Sequence, residues 1–360
     1  MKSIFRVQAL PARQGDCLWI EYGESKHPHR LLIDGGTPET VDTLQSRILA
    51  FPVNQRNFEL LVITHIDNDH IGGLLKLLDA GIPGLKFEDV WFNGWRHLPG
   101  SGFEEFGPVQ GEKLSIWLDQ PGQPWNQRFD RKSIAVPAGG LLPVKTLSGG
   151  LKLTVLSPSI DDLRRLRPVW EEECHKAGMD PSKPQPPPQP VVPGFEAFGV
   201  VDIDDLSATP FKEDTSLANG SSIALLAEFE GHRILLGGDA HATTLLSSVA
   251  RLAASEGVDQ LKIDVLKLPH HGSKANLSRD LLERVESPRY LFSTNGAQFN
   301  HPDQEAVART ICFGGQGAQL IFNYRTKFTM LWNETTWKSQ YGYQTRYPAA
   351  GKEGINLNLI

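Results

Sequence analysis

The densest set of reactive side chains is Thr64-His65-Ile66-Asp67-Asn68-Asp69-His70-Ile71-Gly72-Gly73. Two imidazoles and two carboxylates packed so closely exceed what a solvated turn or a helix cap needs. In a loop, His65 and Asp67 can face one divalent cation while Asp69 and His70 reach a second, and Gly72-Gly73 lets the chain turn tightly into the next element. Asp239, after Leu236-Gly237-Gly238, offers one carboxylate oxygen to each of two cations. An Asp after Gly-Gly is by itself an ordinary turn or cap, and only the first cluster lifts it above that. In Pro269-His270-His271-Gly272-Ser273, two adjacent imidazoles suggest a ligand beside a neighbour that orients it or moves protons. We take His270 as the ligand and His271 as the proton carrier, although the residues alone leave the two roles interchangeable. Asn295, Asn300 and His301 add donors that can grip a phosphate or protonate a leaving group.

These residues follow short apolar runs that stop abruptly, as strands buried on both faces do when their loops carry chemistry. The runs are Leu31 to Ile33, Leu60 to Thr64, Arg233 to Leu236, Ile263 to Leu268 and Tyr290 to Ser293. Helical spacing follows the His65–His70 cluster and Asp239, in Leu74, Leu75, Leu77 and Leu78, and in Leu245, Leu246, Val249, Leu252 and Ala253. Pro302 is placed to start a further helix that Gly314 or Gly315 stops. Strands alternating with helices predict a layered α/β core. The alternation in Gln319 to Tyr324 and Lys327 to Trp332 predicts a closing hairpin, and 335–360 reads as a C-terminal tail. We expect a single domain over 1–334, with insertions at about 93–150 and 158–215. The second insertion contains PSKPQPPPQPVVP (181–193), whose seven prolines make it an extended surface excursion that could dock a protein partner.

Forty per cent hydrophobic and 22% charged residues exclude a disordered chain, and 36 Lys plus Arg against 42 Asp plus Glu exclude a general polyanion sponge. Any grip on a nucleic-acid backbone must come from local clusters such as Arg128, Arg131 and Lys132, Arg164, Arg165 and Arg167, or Lys262, Lys267 and Lys274. Three cysteines without metal-site spacing argue against a disulfide framework and a Cys-rich zinc module. No stretch approaches the ~18 apolar residues of a membrane span, and the amino terminus lacks the uninterrupted apolar region of a signal peptide, so a cytoplasmic protein without a membrane partner is expected.

Taken in order, His65-x-Asp67-x-Asp69-His70-x-Gly-Gly, Gly238-Asp239, Leu-Lys-Leu-Pro-His270-His271-Gly272-Ser273 and Asn295 to His301-Pro302 resemble the metallo-β-lactamase superfamily. More narrowly they look like the soluble hydrolase domain of the competence channel ComEC and its stand-alone relatives. The resemblance runs from Gln14-Gly15-Asp16 and Asp34-Gly35-Gly36 to about Trp332. It implies a four-layer αββα sandwich with a metal pair at one edge, between strand ends. It also implies His65, Asp67, Asp69, His70, Asp239 and His270 as metal ligands, with Asp69, His271 and His301 as catalytic groups. Asp34, Asn219 and Ser222 would support them from outside. Asp67 stands where the superfamily more often has His, and Asn219-Gly220-Ser221-Ser222 stands where many members supply another His, as in the ComEC-like branch. The site is therefore richer in oxygen, which shifts the balance of its two divalent ions toward Mn²⁺ or Mg²⁺ relative to Zn²⁺.

Paired cations acidify water and clamp the nonbridging oxygens of a phosphodiester as charge develops. Ser273 is expected to hold phosphate together with Asn295 and Asn300, since no nucleophile elbow surrounds it. The reading is a metal-dependent phosphodiesterase acting on DNA or another nucleic acid, the substrate resting on the ComEC resemblance. A cyclic or small nucleotide is the nearest rival. Hydrolysis of a thioester, lactone or lactam uses the same attacking water, and a non-catalytic part of a multi-protein assembly, of the defence type that the resemblance suggests, is the remaining class.

Overall fold

Each apolar run that stops at a reactive loop is a strand in the computed structural model, which describes residues 2–99, 109–176 and 201–360. These strands are His29–Ile33, Leu60–Val62, His232–Leu236, Val265–Lys267 and Arg289–Phe292. They belong to two sheets. The six-stranded one runs Ile355–Asn358, Ser3–Ala9, Leu18–Glu24, His29–Ile33, Leu60–Val62, Val90–Trp91, antiparallel up to His29–Ile33 and parallel beyond it. The eight-stranded one runs Gln344–Arg346, Gln319–Phe322, Arg289–Phe292, Val265–Lys267, His232–Leu236, Ala224–Phe229, Lys152–Ser157, Val144–Thr146. Its first five strands are parallel and its last three antiparallel.

The runs lack polar alternation because both faces of each strand are covered. Leu31, Ile33, Leu60 and Val62 share a core with Leu225, Ile234 and Leu236 of the other sheet. Between them, Leu32, Leu61 and Ile63 pack outward on Leu44, Ile48, Ile71, Leu74 and Leu77 of the helices Val41–Leu49 and Asn68–Asp79. Each such side chain contributes roughly 1.5–3 kcal/mol by leaving water. On the far side, the helix Ala242–Glu256 buries Leu245 and Val249, and Gln304–Phe313 buries Val307 and Ile311. Helices, sheet, sheet and helices make the four-layer αββα sandwich.

Several expectations change. Lys327 to Trp332 is not a hairpin strand but a helical turn, Lys327–Met330, continuing into Leu331–Asn333. Thr326 and Thr329 cap it reciprocally, and Thr329 and Trp332 are both buried, a three-residue spacing that a strand would put on opposite faces. The helix expected from Pro302 begins at Gln304, although Gly314 does end it. The stretch 335–360 is not a loose tail. Gln344–Arg346 extends the eight-stranded sheet and Ile355–Asn358 pairs with Ser3–Ala9 at the edge of the other. Within 93–150, Trp95, Leu114, Leu118 and Trp125 join the outer core and Val144–Thr146 is an edge strand. The helices Ile160–Lys176 and Ile203–Ala208 lie in 158–215. The Pro-rich 181–193 lies outside the described residues. Among those described, no helix is long and apolar enough to cross a membrane.

Two glycines set how closely the reactive loops approach. A Cβ on Gly73 would lie 2.1 Å from the Gly35 carbonyl oxygen, and one on Gly15 would lie 1.7 Å from that of Asp69. The helix Asn68–Asp79 is thereby seated directly on the Asp34-Gly35-Gly36 turn. Gly73→Ala should lower the free energy of unfolding by about 1–3 kcal/mol in a denaturant titration, because backbone must move. Gly139→Ala, with nothing near its added methyl, should stay within about 0.5 kcal/mol.

Candidate metal centre

The strand ends are brought level by their registers, Ile33 opposite Val62 in one sheet, Leu236 opposite Lys267 and Lys267 opposite Leu291 in the other. Backbone bonds then lock the following loops together. Asp34 donates to the Val62 carbonyl and His270 to that of Gly238, both at 2.9 Å. Ile223 donates to the Thr64 carbonyl, also at 2.9 Å, which ties the two sheets at this edge, and Gly36 donates to that of Asp16 at 2.7 Å, which joins two loops of the six-stranded sheet.

Four imidazoles meet there, each engaged through Nδ1. His65 Nδ1 lies 3.0 Å from Thr64 Oγ1 and 3.5 Å from Ser222 Oγ. His70 Nδ1 lies 2.8 Å from Asp34 Oδ2. His271 Nδ1 lies 3.0 Å from the Ser293 carbonyl and 3.5 Å from Asp16 Oδ1, and His270 Nδ1 lies 2.9 Å from Asn276 Oδ1. The four Nε2 atoms consequently turn inward on one oxygen. From Asp239 Oδ2 they stand 3.9 Å (His65), 3.2 Å (His70), 3.8 Å (His270) and 3.5 Å (His271) away. Asp67 Oδ2 is 3.5 Å from His65 Nε2, Asp69 Oδ2 is 3.6 Å from His271 Nε2, and the Nε2 atoms of His70 and His271 are 3.2 Å apart.

Such spacings suit a cation, since tetrahedral zinc with bonds near 2.1 Å places neighbouring donors roughly 3.4 Å apart. His65 Nε2 and Asp239 Oδ1 are buried without a hydrogen-bond partner in the protein, as donors that hold a cation would be. Asp16, His70, Asp239 and His271 are all buried, with candidate ligand atoms within 4.8 Å of one another. Asp16 is already committed, however: its Oδ2 accepts from the buried Lys267 ammonium, so it positions His271 rather than competing for a cation.

Charge is balanced inside this cage. Burial opposes charge on His70 and His271, yet the Asp239 carboxylate raises both, helped by Asp34 at His70 and by Asp16 at His271; His70 lies well above the usual imidazole range and His271 is pushed up to about 9. Burial would raise the carboxylates, but the histidines hold Asp239 well below its usual range and Asp69 at about 2.

The positions expected from sequence divide accordingly. His65, Asp67, Asp69, His70, Asp239, His270 and His271 are brought together, and His271 aims Nε2 into the cage as directly as any of them. Asp34, in a left-handed conformation at φ +56°, accepts from the Thr64 amide and hydroxyl while holding His70. Asn219 donates to Asp214 at 2.7 Å beside His270, and Ser222 Oγ accepts from the Asp239 amide at 2.9 Å. His301 stands at the rim, its ring centroid 5.3 Å from that of His270 and its Nδ1 3.5 Å from Asp303 Oδ1. Ser273 and Asn295 spend their side-chain oxygens on the amides of Ala275 and Ala297, and Asn300 is exposed on the same loop as His301. Sequence reasoning missed Asp16, Lys267, Asp214 and Asn276 as supports. Lys267 is wholly buried against Asp16, so it cannot grip a substrate backbone.

Imidazoles and carboxylates at the strand ends of an αββα sandwich define a metal-dependent hydrolase. A sequence profile of the metallo-beta-lactamase superfamily matches residues 10–294, and the chain belongs to that superfamily. Its members bind divalent metals, typically zinc. No curated protein sequence matches the chain. Among solved structures it is similar to the metallo-beta-lactamase fold protein YhfI from Bacillus subtilis, at 11% identity over 99% of this chain and 100% of that one, with a TM-score of 0.41. A Cronobacter sakazakii metallo-beta-lactamase with an HARLDQ motif aligns at 11% identity over 76% and 90% of the two chains, TM-score 0.34. The subclass B3 enzyme MEM-A1 from a soil metagenome library aligns at 14% identity over 85% and 90%, TM-score 0.30.

Asp34→Ala should weaken Zn²⁺ or Mn²⁺ binding about 10–100-fold in a chelator-competition titration, because His70 loses the carboxylate that orients it. Affinity should also rise with pH. A ligand imidazole must be neutral, and His271 carries a proton below about pH 9 in the cation-free protein, so binding displaces it. Each displaced proton makes the apparent affinity about tenfold weaker per unit of pH lost between pH 9 and 6, readable by calorimetry in buffers of different ionisation enthalpy.

Proposed function

We propose that the protein is a metal-dependent phosphodiesterase acting on nucleotide phosphodiesters. The observation that carries this reading is the Asp239 carboxylate set among imidazoles from two different loops, with Asp67 beside His65 and Asp69 beside His271. A donor set of this size could hold two cations, one by His65 and Asp67 and one by Asp69, His70 and His271, with Asp239 shared. Cations held there would supply Lewis acidity, acidifying water and screening charge on substrate oxygens.

The chain's own groups supply the remainder. Asp34, Asp16 and Ser293 keep the Nδ1 atoms of His70 and His271 engaged and their Nε2 atoms aimed inward. His301, at the rim and beside Asp303, is positioned to hand a proton to a departing oxygen. Asp67 in place of a further imidazole makes the donor set harder, which favours Mn²⁺ and oxygen-bearing substrates such as phosphodiesters over a purely imidazole cage.

A compact or cyclic nucleotide is favoured over a long polymer by a specific feature. Most of the clustered basic residues are paired with carboxylates: Arg128 with Glu59 and Asp89, Arg164 with Asp161, Arg165 with Asp162, Lys262 with Glu286, Lys267 with Asp16, and Lys274 with Glu305. A cation already paired gains less from a polymer backbone than a free one does. The resemblance to the ComEC-type domain supports the polymer instead.

The test is turnover by Mn²⁺- and Zn²⁺-loaded protein on cyclic dinucleotides, an aryl phosphodiester, single- and double-stranded DNA, RNA and a thioester. Phosphodiester cleavage is expected, with Asp69→Ala and Asp239→Ala each losing metal and turnover together by at least about a hundredfold. Cleavage of the thioester alone would refute the reading. A steep loss of activity with salt would assign the substrate to the polymer.

A further inference from the structure

His270 and His271 are adjacent in the chain, and the hydrogen bonds around His270 fix which way its ring is turned. Asn276 donates through Nδ2 to Asp214 Oδ2 (3.1 Å) and to the carbonyls of Asp239 (3.1 Å) and Ala240 (3.3 Å). All three partners are acceptors, so the orientation of this amide is fixed and its Oδ1 is the atom that faces His270 Nδ1 at 2.9 Å. Asp214, held by the Ser216 amide and Asn219, adds a carboxylate oxygen 3.6 Å from the same Nδ1. Asn219 Nδ2 also lies 3.4 Å from this Nδ1, but it donates to Asp214 Oδ2 at 2.7 Å, so His270 keeps its hydrogen on Nδ1 for Asn276 and turns the Nε2 lone pair toward Asp239, 3.8 Å from Oδ2.

The backbone supports the same conclusion. His270 (φ 44°, ψ 52°) and His271 (φ 56°, ψ 14°) are consecutive left-handed residues, a conformation that side chains with a Cβ rarely adopt. In an extended chain, neighbouring side chains would point to opposite faces. Here both rings reach the same carboxylate, with centroids 5.8 Å apart and planes at 72°. A site that used a single histidine would have no use for two strained residues in succession. His65 Nε2 is buried without a partner and has Asp67 and Asp239 as its carboxylate neighbours.

We propose that the two histidines are divided between two cation positions. His271 belongs with Asp69, His70 and Asp239, and His270 with His65, Asp67 and Asp239, so that each position receives three donors of its own and shares Asp239. His270 thus supplies, from the loop after Val265–Lys267, a third private donor to the His65 side. This assignment rests on the two-cation reading of the centre, and it makes Asn276 and Asp214 the positioning residues for that half.

The experiment is Co²⁺ loading of the full chain, read by elemental analysis after dialysis and by visible absorption, with thermal melting to verify that each variant is folded. The wild-type protein should hold two Co²⁺ per chain. His270→Ala and His270→Gln should each hold one, Asp67→Ala combined with His270→Ala should still hold one, and Asp69→Ala combined with His270→Ala should hold none. Asn276→Ala should weaken the lost position at least about tenfold while sparing the other. If wild type binds two and His270→Ala keeps both with unchanged affinity, the division is overturned and the two-cation centre stands. If wild type binds fewer than two, the division fails together with the two-cation reading.

Discussion

The arrangement depends on one buried carboxylate. Asp239 lies where four imidazole Nε2 atoms converge, and almost every neighbouring feature serves either to bring a ring to it or to stop a ring from turning away. An isolated carboxylate in such a place would face a large desolvation penalty. His70 and His271 offset that penalty, and Asp239 in turn favours charge on both, so these groups stabilise one another only as a set. Loss of any one member leaves the others buried and unmatched, which explains why so many outer hydrogen bonds are spent on ring orientation.

The sandwich supplies the required precision by placing the reactive loops at the ends of registered strands. Parallel neighbours bring Asp34 level with the His65 loop, and the Asp239 loop level with the His270-His271 loop. Close approaches between loops of the six-stranded sheet, Gly15 against Asp69 and Gly73 against Gly35, fix that half, and the buried Lys267–Asp16 pair spans the two sheets. Three non-glycine residues in left-handed conformation, Asp34, His270 and His271, sit within this edge. Strain of this kind, on the order of 1–3 kcal/mol per residue, persists only where the surrounding structure over-determines it.

Much of this was legible in the sequence, and the physical reason is local. Residues that must stand at strand ends follow apolar runs directly, so Asp34, His65 to His70, Asp239 and His270-His271 could be placed from chain order alone. What could not be placed were partners distant in the chain. Lys267 reads as part of a basic cluster, and only its approach to Asp16 across the two sheets makes it a buried support. Asp214 and Asn276 carry no pattern until folding sets them beside His270. Similarly, Lys327 to Trp332 alternates like a strand because one helical turn is too short to display its own period. The sheet edge Gln344–Arg346 is polar and short, with no hydrophobic pattern to announce it.

The most direct test of the central claim is anomalous X-ray scattering from crystals equilibrated with Mn²⁺ or Zn²⁺. Peaks within bonding distance of the Asp239 carboxylate, flanked by the Nε2 atoms of the surrounding histidines, are the predicted result. Cations bound elsewhere, or none at this carboxylate under saturating metal, would contradict the account.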